Sequence, residues 1–94
     1  MNCEWDESKA DENLLKHGVS FAEAVESFSD PDGFALDDVK HSKSEKRHYW
    51  VGKSTRRRVL TTRYTRRGAN IRIIGSAEWR EFKDLYEKAN SKES

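Results

Sequence analysis

The side chains in this sequence that could move a proton or hold an anion are His17, His41, Glu45, Arg47, Tyr64, Arg67 and Arg72, with Arg63 as a secondary candidate. Histidine, glutamate and tyrosine serve as general acids and bases. Arginine presents a planar fork of donors that fits carboxylate and phosphate better than lysine does. Together they are candidates for the groups that metal-free cleavage of RNA would use. A base removes the 2′-OH proton, cations stabilise the crowded phosphorane, and an acid protonates the leaving oxygen. On this reading the catalytic candidates are Arg72, Arg47, Glu45, His17 and Tyr64, and the RNA-contacting ones are His41, Arg63, Arg66 and Arg67. No Cys/His spacing suggests zinc, the three histidines lack i, i+4 partners, and the reading calls for no cofactor.

Each candidate also has a plainer role. Lys16-His17 precedes Gly18, where a cation meets the negative end of a helix dipole. Glu45 and Arg47, two apart, share a face if extended and could pair across a sheet. Tyr64 could be core with a wet hydroxyl. Arg72 lies inside the apolar run Ile71–Ile74, so it either pairs with an acid such as Glu45 or reaches a ligand. Trp5 and Trp50 could stack on bases, but packing is the simpler use.

These residues need elements to hold them. From Arg56 to Gly75 the sequence reads as a hairpin. Val59, Thr61, Arg63 and Thr65 alternate with Leu60, Thr62 and Tyr64, the period of a strand. Arg66-Arg67-Gly68-Ala69 supplies the turn, with Gly68 free to take positive φ. Asn70–Ile74 returns, with Ile71 and Ile73 on one face and Arg72 and Ile74 on the other. Cys3-Glu4-Trp5 is a short opening strand. Asp6 caps a first helix whose apolar stripe is Ala10, Leu14 and Leu15 and which stops at Gly18. Ser20 and Glu23 match a capping box for a second helix with Phe21, Ala24, Val25 and Phe28 inward. Asp30-Pro31-Asp32-Gly33 is a turn. Phe34, Leu36 and Asp38 begin a meander, Asp37–Lys46 forms a polar loop, and Arg47–Gly52 is the next strand. Ser76 caps a last helix with Trp79, Phe82, Tyr86 and Ala89 on one side and Leu85 beside them, and a tail runs from Asn90 to Ser94. The expected fold is α+β: an antiparallel sheet of about four strands, two N-terminal helices and one C-terminal helix. The helices cover one face, leaving the arginines on the other.

The 94 residues suit a single domain. No apolar run approaches the roughly 20 residues of a membrane helix. The opening MNCEWDESK lacks the apolar core expected of a signal peptide, and the lone Cys3 fits the expectation of a reducing cytoplasm. The net charge of +1 hides a division along the chain: residues 1–45 carry 12 acidic and 4 basic side chains, residues 46–80 carry 11 basic and 1 acidic. Such segregation favours an electropositive face for a polyanion or an acidic partner. The alternative is that the two halves neutralise each other in the fold.

Trp5-Asp6, Lys9-Ala10, Asn13, Lys16-His17-Gly18-Val19-Ser20-Phe21 and Ala24 resemble the opening of the BrnT-type ribonuclease toxins. The resemblance continues through Asp38, His41-Ser42, Glu45, Arg47, Gly52, Tyr64-Thr65, Arg67, Ile71-Arg72-Ile73-Ile74 and Tyr86, and so covers nearly the whole chain. It implies a bacterial type II toxin with a RelE-like fold that cuts RNA and stops translation. The implied partner is a BrnA-like antitoxin with a ribbon-helix-helix region, in a hetero-oligomer that binds operator DNA through the antitoxin. Many relatives read Ser-Ala-Arg after the last strand, where this chain reads Gly75-Ser76-Ala77 and then Glu78. That departure keeps a second class open: a non-catalytic module that binds RNA or only an antitoxin.

Overall fold

Strand β1 (Asn2–Glu4) leads into α1 (Glu7–His17) and α2 (Phe21–Ser27). The meander β2 (Phe34–Asp37), β3 (Arg47–Lys53), β4 (Val59–Arg67) and β5 (Asn70–Ala77) follows, and α3 (Arg80–Ala89) closes the chain. A short 3-10 turn, Val39–His41, precedes β3. The structure, a computed structural model, describes residues 2–41 and 43–91. Ser42 of the family pattern and the tail beyond Ser91 lie outside the described residues.

The local signals work as their chemistry requires. Asp6 accepts from the N–H of Ser8 and Lys9, and Gly18 ends α1 in the left-handed region at φ 69°. Ser20 accepts from the Glu23 N–H at 3.1 Å. The capping box is only half made, because the Glu23 carboxylate turns to Arg58 and Ser54 instead. Ser76 does not cap α3. It is a buried residue of β5, and Trp79 holds the cap position without a side-chain bond.

The sheet has five strands, in the order β1-β5-β4-β3-β2, and is mixed. The meander pairs antiparallel, whereas β1 lies parallel to β5 with Glu4 opposite Arg72. Beyond β1, the same edge of β5 is taken up by α1. The Asn13 amide accepts from the Ser76 N–H at 3.1 Å and donates to the Ser76 carbonyl at 2.7 Å and the Val19 carbonyl at 2.9 Å. A side chain thus replaces a strand partner and satisfies an edge that would otherwise stay open. Those bonds set the rotation of α1. Ala10 and Asn13 face inward, while Leu14 and Leu15, expected in the buried stripe, are exposed.

The helices do not share one face. Phe21, Tyr64, Ile71 and Ile73 form a core under α2, with Trp5, Val25, Phe28 and Trp50 packed against it. Trp50 stacks on Phe28 with centroids 5.4 Å apart and donates to the Ser27 carbonyl at 2.7 Å. On the opposite side Val51, Val59 and Tyr86 form a second core with Phe34, Leu36 and Phe82, under α3. The cause is in β3 and β4. Trp50 beside Val51 and Val59 beside Leu60 put apolar groups on both faces, so both must be covered. Of the expected α3 stripe, Tyr86 is buried but Leu85 stays largely exposed.

Candidate functional site

Alternation and register decide which side chains meet. From Val51, on the α3 side, a step of two along β3 brings Tyr49 and then Arg47 to the same face. Tyr49 stands opposite Arg63, and Arg47 opposite Thr65. The Tyr49 ring meets Phe82 at 5.2 Å and Trp79 at 6.2 Å. The β4–β5 register then sets Thr65 against Arg72 and Arg67 against Asn70, with an irregularity between Arg63 and Tyr64 that leaves Ile74 as the extra residue. The bulge lets Ile71 and Ile73 enter the α2-side core while Arg72 faces the other way. At this end of the sheet α3 has not yet begun: its first turn, with Trp79 and Phe82, reaches Tyr49. The uncovered part of the α3-side face therefore carries Arg47, Arg63, Arg67 and Arg72 on three adjacent strands.

Acidic groups brace two of these arginines, Arg67 and Arg72. Arg72 donates to Glu4 Oε2 at 2.9 Å, and Asn70 donates to Glu4 Oε1 at 3.0 Å. The bond from Arg72, then that from Asn70, holds the Glu4 carboxyl below its ordinary range. The acid of Arg72 is thus Glu4, brought by the parallel strand, and Glu45 goes to Arg67 at 3.1 Å. The Arg67 bond lowers the Glu45 carboxyl, and Glu45 raises the Arg67 guanidinium. Arg63 has a buried Nε without a hydrogen-bond partner among the described residues. Beside it a cleft of about 560 Å³ opens, lined also by Lys9, Asn13, Lys16, His17 and Gly75. His17 meets Trp79 edge-on at 6.5 Å.

The loop before β3 adds an acid–histidine pair. Asp38 continues the alternation of Phe34 and Leu36, and its N–H bonds the Arg47 carbonyl at 2.9 Å. It is 3% exposed, and both its oxygens lie 3.0 Å from His41 Nδ1. Burial first, and Asp38 second, raises the Tyr49 phenol above its ordinary value. A hollow of about 310 Å³ is lined by Lys40, His41, Lys43, Ser44 and Arg47.

Two of the sequence candidates stand elsewhere. Tyr64 lies in the α2-side core, 4% exposed, with its ring 5.4 Å from Phe28 and 5.2 Å from His48, and burial raises its phenol. Arg66 is opposite Ile71, on the α2 side, away from Arg63 and Arg67. Glu4, Tyr49 and the pairing role of Asp38 were not identified from sequence. For Asp38 a signal existed: an Asp three residues before a His shares one side of a 3-10 turn. For Glu4 none did, because its partner is 68 residues away.

Fold and site together define a small α+β protein with, among the described residues, three helices, a five-stranded mixed sheet and a cationic sheet face suited to a polyanion. The chain belongs to the family of the ribonuclease toxin BrnT of type II toxin–antitoxin systems, whose family model matches residues 5–81. Its structure is similar to the 1.1 Å crystal structure of the Brucella abortus ribonuclease toxin BrnT, with a TM-score of 0.64 and 21% identity, covering 84% of this chain and 96% of that chain. At that identity the likeness speaks for the fold alone. No curated protein sequence matches the chain significantly. As a type II toxin the protein has an antitoxin partner and an RNA target. Among the described residues no helix is long and apolar enough to cross a membrane.

Proposed function

We propose that this chain is a metal-independent endoribonuclease of RelE-like fold that acts in the cytoplasm as one domain. In this reading RNA runs across the open part of the α3-side face. Arg47 and Arg72 hold the scissile phosphate and neutralise the charge that develops on it. Arg63 and Arg67 track the backbone on either side. Glu45 and His17 stand at the margins as further proton-transfer candidates, and His41 contacts the RNA. Tyr64 serves the core and Arg66 only flanks the path. The observation that carries the reading is the convergence of Arg47, Arg63, Arg67 and Arg72 on one uncovered face of adjacent strands. The resting state is a complex with a BrnA-like antitoxin that covers part of this face and binds operator DNA itself.

The pairing of Arg72 with Glu4 and of Arg67 with Glu45 favours one other reading, a module that binds without cutting. Incubating purified protein with single-stranded RNA in chelator separates the two. Fragments that disappear with Arg47→Ala mean a ribonuclease. Intact RNA bound to the protein means a binding module, and cleavage abolished by chelator removes the metal-independent mechanism.

A further inference from the structure

We propose that Asp38 is a positioning residue that makes His41 the general acid–base of this site, an inference that rests on the ribonuclease reading. A carboxylate 3% exposed must find donors, and Asp38 finds them in the ring of His41 and the phenol of Tyr49. A carboxylate only accepts, so His41 Nδ1 carries the hydrogen and the lone pair is left on Nε2. Both Asp38 oxygens sit 3.0 Å from Nδ1, which fixes the ring plane as well as the tautomer. The backbone is tied too: the His41 N–H donates to the Asp38 carbonyl at 3.3 Å, and the Asp38 N–H to the Arg47 carbonyl at 2.9 Å. The His41 side chain is 46% exposed and lines one hollow with Arg47 of the arginine face.

The other histidines are held differently. His48 meets Asp37 at 3.3 Å, but Asp37 is 60% exposed and the ring packs on Tyr64, on the α2 side. His17 meets Trp79 edge-on at the mouth of the cleft. The charged groups facing His41 are Asp38 and Lys40 of its own turn and Lys43 and Arg47 across the hollow, with Tyr49 behind Asp38. In the step assigned to it, neutral Nε2 takes the proton of the ribose 2′-OH as that oxygen bonds to phosphorus. The P–O5′ bond breaks, and the imidazolium returns the proton to the 5′-oxygen. Atoms and charge balance with a 2′,3′-cyclic phosphate and a 5′-hydroxyl as products.

The test compares single-turnover cleavage against pH, and RNA affinity, for the wild-type chain, His41→Ala and Asp38→Asn. His41→Ala, at a half-exposed position, should fold and lose about 10²-fold or more in rate, with affinity within about twofold of wild type. Free imidazole should restore part of that rate, with the pH dependence of the added base. Asp38→Asn should lose about 10²-fold and alter the pH profile while His41 remains. A His41→Ala protein that cuts at the wild-type rate, or whose loss tracks weakened affinity and ignores imidazole, overturns the inference and leaves His41 an RNA contact. Asp38→Asn with an unchanged rate and pH profile overturns the role of Asp38. RNA left intact by the wild-type chain overturns the ribonuclease reading, and the inference with it.

Discussion

In the proposed reading Arg72 serves both the fold and the binding of phosphate. It stands between Ile71 and Ile73 on β5, its side chain faces the other side of the sheet from theirs, and its head meets Glu4 on the neighbouring strand. That pair is part exposed on both sides, 29% and 36%, and such pairs add little to stability. In the ribonuclease reading the guanidinium also holds the scissile phosphate. Arg72→Lys keeps the charge but loses the fork. The expected result is a melting temperature within about 5 °C of wild type and RNA cleavage down by more than about tenfold. Arg72→Ala should lose more of both. Thermal melts and cleavage assays on the same preparation check this. A destabilised but fully active Arg72→Lys would take Arg72 out of the site.

Between elements, the joins are made by a few polar groups set in apolar surroundings. Asn13 joins α1 to the edge of β5 through three backbone bonds. Asn13→Leu keeps the branched shape but orphans the Ser76 N–H and the carbonyls of Ser76 and Val19. Leaving such groups buried should cost about 3 kcal/mol, seen in urea melts as a lower midpoint with an unchanged slope. Glu23 joins α2 to the turn between β3 and β4. Arg58 donates to it and also to Glu78 and the Gly18 carbonyl, and Ser54 donates to it at 2.7 Å. The Arg58 bond is the main cause that holds the Glu23 carboxyl low, against its burial. Asp30 is also held low: burial works to raise it, but bonds from Tyr86, the Lys53 N–H and the Asp32 N–H outweigh that. Carboxyls depressed in the folded state stabilise it above their unfolded values, about 4. That contribution disappears as pH falls through their lower folded values. Stability should therefore decline below about pH 4.5. Glu23→Gln should lower stability at pH 7 by about 2 kcal/mol and flatten the decline, as thermal melts between pH 7 and pH 3 would show.

For the whole molecule, the charge division along the chain is partly closed by the fold. Glu4 meets Arg72, Glu45 meets Arg67 and Glu23 meets Arg58. The acidic first half thus neutralises some of the basic second half, and the remainder leaves a positive face that α3 does not cover. A backbone held by about four arginine contacts releases counterions. The slope of log affinity against log salt should therefore be about −3 for single-stranded RNA. Binding measured between 50 and 300 mM salt checks this, and a flat dependence would mean that the arginines serve the fold.

By itself the sequence determined whatever depends on neighbours within a few residues. The Asp6 and Ser20 caps, the Gly18 stop, the turn at Gly68 and the alternation separating Arg63 from Tyr64 and Arg72 from Ile71 are all local. Each follows from short-range sterics and hydrogen bonding, and the order of the elements follows with them. Only the tertiary structure decided which helix covers which face. Alternation says that residues share a side, not what lies against it, and β3 and β4 carry apolar groups on both sides. The same holds for the parallel seat of β1, the rotation of α1 that buries Asn13 and exposes Leu15, and the choice of Glu4 over Glu45 for Arg72. Those outcomes depend on contacts between residues more than 60 positions apart, which no local pattern specifies.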